Sequence, residues 1–198
     1  MPTARENDSV TEQQPYEVLQ TYPGFELRRY PAYVVAEVTV TGDFDRASNN
    51  GFGPLVGFIG GRNRRSQKIA MTAPVIQEAA GQQIAMTAPV IQEPAHEGAH
   101  IVQFVMPADM PLADMPLPED SRVSVREVPE HLAAVVRYSG FASKGKYDAR
   151  LVRLLEDVTA AGLVPAGAAR SARFDPPWTP PFLRRNEVIL PVRPADGT

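Results

Sequence analysis

Between Asp175 and Arg185 the chain reads Asp-Pro-Pro-Trp-Thr-Pro-Pro-Phe-Leu-Arg-Arg, which sets Trp178 and Phe182 on a proline-stiffened backbone beside Arg184 and Arg185. Rings held in this way can stack on a flat apolar ligand at little ordering cost. Arginine forks next to them suit carboxylates. A second basic group, Arg62, Arg64, Arg65 and Lys68, follows a short apolar helical stripe. A purely structural reading of the same residues stands beside this one: Trp178 and Phe182 lid the core, and the arginines are solvated loop charges.

Other candidate chemistry is sparse. His96 and His100 lie four apart in a loop leading into a strand, and His131 stands alone, so the histidines give a weak metal signal. Met71 and Met86 recur at the same place in a duplicated decapeptide; a thioether can ligate iron, although a Met in an apolar strand ordinarily fills core. There is no nucleophile elbow, phosphate-cradling glycine loop or metal-enzyme His/carboxylate spacing, so the motifs do not support an enzyme.

Bulk properties narrow the class. A chain of 198 residues fits one domain of the larger sort, and its 20 prolines favour strands broken by turns over long helices. The cysteine count of 0 excludes disulfides, thiolate metal sites and cysteine nucleophiles together. A net charge of −3 argues against general nucleic-acid binding, which needs clustered cations. The first fourteen residues are polar and lack the apolar run of a signal peptide, and no stretch approaches the about 20 apolar residues of a membrane span. The expectation is a soluble, cytoplasmic, monomeric protein with a disordered segment at 1–14, one domain over 15–193 and a tail at 194–198.

The elements that must position these residues centre on the decapeptide Ile-Ala-Met-Thr-Ala-Pro-Val-Ile-Gln-Glu, present at Ile69 to Glu78 and again at Ile84 to Glu93. Each copy is β-branched and apolar, and Gly81 lies between them, which predicts a bent β-hairpin over residues 67–93. Pro74 and Pro89 must fall at a bulge, strand end or edge. Before the hairpin, strands are expected at Tyr16 to Gln20, Phe25 to Tyr30 and Ala32 to Thr41. A helix carrying Phe52, Leu55, Val56 and Ile59 at i, i+3, i+4 and i+7 follows, starting near Asn49 or Asn50 because Pro54 belongs in a first turn. After the hairpin come strands at His100 to Val105, Arg122 to Val128 and Leu132 to Tyr138. Ser143 N-caps a longer helix bearing Tyr147, Leu151, Leu154, Leu155 and Val158, and strands near Ala168 to Phe174 and Glu187 to Val192 close the chain.

A fainter repeat sets the architecture. Arg28, Pro31 and Gly42 match Arg126, Pro129 and Gly140, each pair 98 positions apart, with a strand between Pro and Gly and a helix after the Gly. This predicts an α+β fold of two ββαβ halves related by a pseudo-two-fold, with two helices packed on an antiparallel sheet.

Lys68 to Val75, Phe104-Val-Met-Pro107 and Phe174 to Val188 together resemble the SOUL / heme-binding protein family, a resemblance that covers Tyr16 to about Val192. It implies a distorted antiparallel β-barrel flanked by two helices. It also implies that heme or another tetrapyrrole is bound, as by a carrier or buffer, in an apolar cleft beside the first helix and the loop before the last strand. Phe52, Leu55, Val56, Ile59, Met71, Trp178 and Phe182 are then the expected walls, and Arg62, Arg64, Lys68 and Arg184 the expected propionate partners. Where the vertebrate SOUL protein carries a proposed axial histidine, this chain has Arg29, so an axial histidine there is ruled out. Gly53-Pro54 also interrupts a helix that relatives tend to run unbroken. Two other readings stay open: an enzyme acting on heme, and a sensing or interaction module resembling bacterial effector-binding domains.

Overall fold

The computed structural model describes residues 12–79, 98–176 and 178–195. Apolar side chains alternating along extended segments generate most of it. In β4 (Tyr33–Thr41), Val34, Ala36 and Val38 face one side and Val35 the other, and all four are buried, as expected of a central strand. β4 is flanked by β7 (Ala99–Val105) and β8 (Val123–Val128), both antiparallel to it. With β2 (Glu17–Thr21), β3 (Glu26–Tyr30), β6 (Val75–Ala79), β9 (His131–Tyr138), β11 (Arg170–Arg173) and β12 (Asn186–Pro194), these form one sheet in the order β2-β3-β9-β12-β11-β6-β7-β4-β8, and β10 (Leu163–Pro165) adds to β12. Where a distorted antiparallel β-barrel was expected, the sheet is not closed: among the described residues nothing joins its ends. At one end β2 is solvent-exposed along its length and bulged between Val18 and Gln20, features that suit an edge strand.

The first decapeptide is divided at Pro74, which has no N–H for a ladder. Upstream of it β5 (Thr72–Ala73) leaves the main sheet and pairs in parallel with β1 (Glu12–Gln13); downstream, β6 enters the sheet. Glu12 and Gln13, inside the segment expected to be disordered, thus form a strand, and Gln14 is buried with its N–H on the Ala73 carbonyl at 2.9 Å. Both edges of β6 are occupied, by β7 and β11, so the expected pairing of the two decapeptide copies is not made along Val75–Ala79. The second copy, Ile84 to Glu93, lies outside the described residues.

Helix α1 spans Phe44–Ile59, five residues earlier than its proline suggests, so Pro54 sits inside it. An interior proline costs about 3 kcal/mol. Burial of Ala47, Gly51, Leu55, Phe58 and Ile59 against β4 and β7 offsets that cost. Gly51 is required here: a Cβ would lie 2.7 Å from the Val102 Cβ, so the helix backbone rests directly on β7. Helix α2, Lys144–Ala160, covers the other half, with Leu154 and Val158 fully buried among residues of β3, β9 and β12, and it ends before Gly162 at φ +71°. A third cluster, built from strand residues such as Val35, Ile76, Val105, Val135 and Ile189, fills the sheet's other face.

Candidate functional site

Because Gly51, Leu55 and Phe58 anchor α1 on the sheet, the helix turns a different stripe sideways. Asp45, Ser48, Asn49 and Phe52, at i, i+3, i+4 and i+7, line one wall of a cleft of about 700 Å³. Its floor is a row of residues abreast in neighbouring strands, Val75 of β6, Arg173 of β11 and Asn186 of β12. Met71, Thr72 and Ala73, diverted from the sheet at Pro74, form one side. The opposite wall combines Phe141 to Ser143, ahead of α2, with Phe174, Asp175, Pro176, Trp178 and Arg184. Large apolar side chains stand open at this cleft: Phe52 is 42% exposed, Met71 40%, Phe141 60% and Trp178 82%. Such a concentration of exposed apolar surface around a concavity is the mark of a binding site.

The polar groups are mostly engaged with the protein. Asp45 accepts the Lys144 N–H at 2.8 Å, where it caps α2, and Asp175 accepts the Arg185 N–H at 2.5 Å. Ser48 donates to Gln77 Oε1 at 2.7 Å, and Gln77 Nε2 donates to the Phe44 carbonyl at 3.0 Å. Arg184 Nε donates to the Thr179 carbonyl at 2.7 Å, and its guanidinium lies 5.4 Å from the Phe141 ring. Arg173 differs. Its Nη2 donates to the Ala142 carbonyl at 3.2 Å, but its buried Nε has no acceptor among the described residues. Burial draws this guanidinium's pKa below the ordinary arginine value.

Of the residues singled out from sequence, Phe52, Met71, Trp178 and Arg184 line the cleft. Leu55 and Ile59 are instead core residues under α1, and Val56, Arg62, Arg64, Lys68 and Phe182 lie outside the lining. The face α1 turns to the sheet differs from the expected stripe because the helix starts at Phe44 and Gly51, which carries no hydropathy signal, lets its backbone rest on Val102. Arg62 folds back over Gly57 and reaches the Gly53 carbonyl at 3.5 Å, while Phe182 sits 74% exposed in the turn Pro181–Leu183. Sequence reading missed Phe141, Arg173 and Phe174. Phe141 directly follows Gly140, whose φ of +98° ends β9, and that turn was the one available signal.

Neither described histidine faces the cleft. His131 stacks on Tyr30 at 5.5 Å between centroids with its Nδ1 2.9 Å from the Pro129 carbonyl, and burial lowers its pKa. His100 meets Phe44 edge-on at 6.0 Å, and His96 lies outside the described residues. Arg29 pairs with Glu17 at 3.1 Å on the exposed β2–β3 edge. No group of three His, Cys, Asp or Glu suited to a metal occurs among the described residues, and no helix there is long and apolar enough to cross a membrane.

Comparison with known proteins supplies a lineage. The family model described as SOUL heme-binding protein matches residues 11–191. The mouse protein named Heme-binding protein 2 is 29% identical over 150 residues, which span 75% of this chain and 68% of that protein. Its human counterpart is 30% identical over 137 residues, 67% of this chain and 60% of that protein. Among solved structures, the EcmrR C-terminal domain superposes with a TM-score of 0.60 over 90% of this chain and 98% of that one, at 13% identity, a likeness of fold alone.

Proposed function

The chain belongs to the SOUL heme-binding protein family, and on that premise we propose that the cleft between α1 and the 173–184 segment binds heme or a closely related tetrapyrrole as a carried ligand. The observation that carries this reading is the coincidence of volume and lining. About 700 Å³ lies within the range of roughly 300–1,000 Å³ usual for small-molecule sites, and Phe52, Met71, Phe141, Phe174 and Trp178 offer apolar surface to the two faces of a plate. Each 100 Å² of apolar surface covered contributes about 2.5 kcal/mol before ordering costs, so a macrocycle can reach micromolar affinity with no bond to iron.

In this reading no histidine holds the iron. Its support is the position of His100 and His131 outside the lining, and of Arg29 on a distant edge. The Met71 thioether is the soft donor within the lining, and carboxylates of the ligand meet the arginines of the lining rather than Arg64 or Lys68. The iron supplies visible absorption and redox chemistry when the ligand is bound; the protein's part is to shield the faces and orient the edge. The protein acts as a cytoplasmic carrier or buffer, not a catalyst. The reading also includes a pseudo-two-fold between the halves. It is supported by the strand order from β3 to β8, which is reversed when β3, β4, β6 and β7 of the first half exchange, in chain order, with β8, β9, β11 and β12 of the second.

Titration with heme, followed by Soret absorbance and by quenching of Trp178, tests the proposal. Saturable binding of one heme per chain at micromolar concentration is expected, with heme recovered unchanged. Absence of binding by any porphyrin overturns the carrier reading, and a changed product spectrum replaces it with a heme-modifying enzyme.

A further inference from the structure

We propose that Arg173 is the carboxylate receptor of the cleft, so that the site selects the free acid of its ligand over the ester. This rests on the reading of the cleft as a ligand site and adds the residue that chooses which end of the ligand enters it. Arg173 closes β11 and is held abreast of Val75 on one side and Asn186 on the other, so two ladders fix its backbone. Its side chain therefore starts from a rigid position on the cleft floor, unlike Arg184 in the loop above.

The charge balance around it is incomplete. Arg28 and Arg185 hold Glu187 at 3.0 and 2.7 Å, and Arg170, on the same strand as Arg173, holds Glu78 at 2.9 Å. Arg173 has no such partner among the described residues. Asp45 attracts Arg173 through space but makes no ion pair or hydrogen bond with it; its Oδ1 accepts the Lys144 amide, and Asp175 Oδ2 accepts the Arg185 amide. What remains is one carbonyl bond, from Nη2 to Ala142, and a buried Nε without an acceptor. A desolvated cation in this condition is costly unless a partner arrives from outside. A planar guanidinium facing an apolar cleft accepts a carboxylate better than any other common anion of a flat organic ligand, because two parallel N–H···O bonds match its fork. The row from Val75 to Asn186 thus presents apolar, cationic and amide groups in sequence, which suits a macrocycle whose rim bears acid groups.

The test compares acid with ester on wild type and on two variants. Protoporphyrin IX and its dimethyl ester are titrated by Trp178 quenching, and 2-naphthoate and its methyl ester by calorimetry, against wild type, Arg173→Gln and Arg173→Lys. Wild type is expected to bind each acid about tenfold or more tightly than its ester; Arg173→Gln removes that preference, and Arg173→Lys restores part of it. Porphyrin binding with no acid preference in wild type overturns the role of Arg173 and leaves the tetrapyrrole reading standing. Naphthoate selectivity that depends on Arg173, without porphyrin binding, supports Arg173 and removes the tetrapyrrole. Binding of neither class overturns both. Should Arg173→Gln fail to fold, Arg173→Lys carries the comparison: a reduced acid-to-ester ratio supports the assignment, and a ratio unchanged from wild type, or near one in wild type, refutes it.

Discussion

Two residues three apart on α1 should respond to truncation in opposite ways. Phe52 is 42% exposed at the cleft, with its ring edge-on to Phe104 at 5.4 Å, while Leu55 is fully buried in the core beneath the helix. An aromatic side chain covers about 200 Å² when buried, so a ligand seated on Phe52 shields about 80 Å² of its open surface, about 2 kcal/mol or thirtyfold in affinity. Phe52→Ala should therefore weaken porphyrin binding by about ten- to thirtyfold while lowering stability by no more than about 1 kcal/mol. Leu55→Ala removes a core side chain and leaves a cavity, with a stability loss of about 2–5 kcal/mol and affinity within about threefold once the protein is folded. Urea denaturation read by far-UV circular dichroism gives the first quantity, and Soret titration at a temperature where both variants are folded gives the second. The reasoning is refuted if Leu55→Ala weakens binding as much as Phe52→Ala at full folding, or if Phe52→Ala leaves affinity untouched.

Further expectations follow from the same geometry. Trp178, 82% exposed, contributes little to folding, so Trp178→Ala should leave the urea midpoint unchanged and weaken porphyrin by about 1–2 kcal/mol; unfolding by this substitution would make the residue a core lid. Arg64→Ala and Lys68→Ala, outside the lining, should leave affinity within about twofold, and a tenfold loss in either would place propionate pairing there after all. Glu187 is fully buried between Arg28 and Arg185, so Glu187→Gln should destabilise the fold by about 3–5 kcal/mol in chemical denaturation, and a loss under 1 kcal/mol would contradict that account. Burial and Arg170 hold His131 below its ordinary pKa of 6.5, so the unfolded chain takes up the proton first and stability should fall as pH drops below that value. Stability curves of wild type and His131→Gln between pH 8 and 5 that run parallel would refute this.

Much of the fold was legible because period-two valine runs and glycine turns act locally. The strands at β3, β4, β7, β8 and β9 fall within a residue or two of their sequence-drawn limits, and α2 begins after Ser143 and stops before Gly162 as its stripe requires. The misreadings have one origin: they depend on what a segment packs against. Gly51 steers α1 by letting Val102 of β7 come close, not by hydropathy, so Phe52 and Val56 were assigned to the same face as Leu55. The strand β6 was expected to pair with its duplicate, yet the neighbours it takes are 99–105 and 170–173, long-range partners that local pattern cannot name. Arg173 looked like an ordinary strand end because its lack of a carboxylate partner exists only in three dimensions.

The cleft itself follows from two interruptions of regular structure. Were position 74 able to donate to a ladder, Met71 to Ala73 could continue β6 along β7 and β11, and their side chains would close over the sheet beside α1. With proline there, the chain turns off to pair with Glu12–Gln13, and Met71 is left 40% exposed at the side of an open space. On the facing side, Gly140 at φ +98° ends β9 and delivers Phe141 to the rim, while the Gly140 N–H donates to the Pro181 carbonyl at 2.8 Å and so ties the aromatic loop to the same turn. Asn186 Nδ2 donates to the Gly140 carbonyl at 2.9 Å, fixing that turn to the cleft floor. The two walls are thereby referenced to one sheet. Relaxing either interruption should deform the site before it unfolds the protein, since Leu55, Phe58 and the strand cluster around Ile76 and Val105 carry the packing independently of the rim.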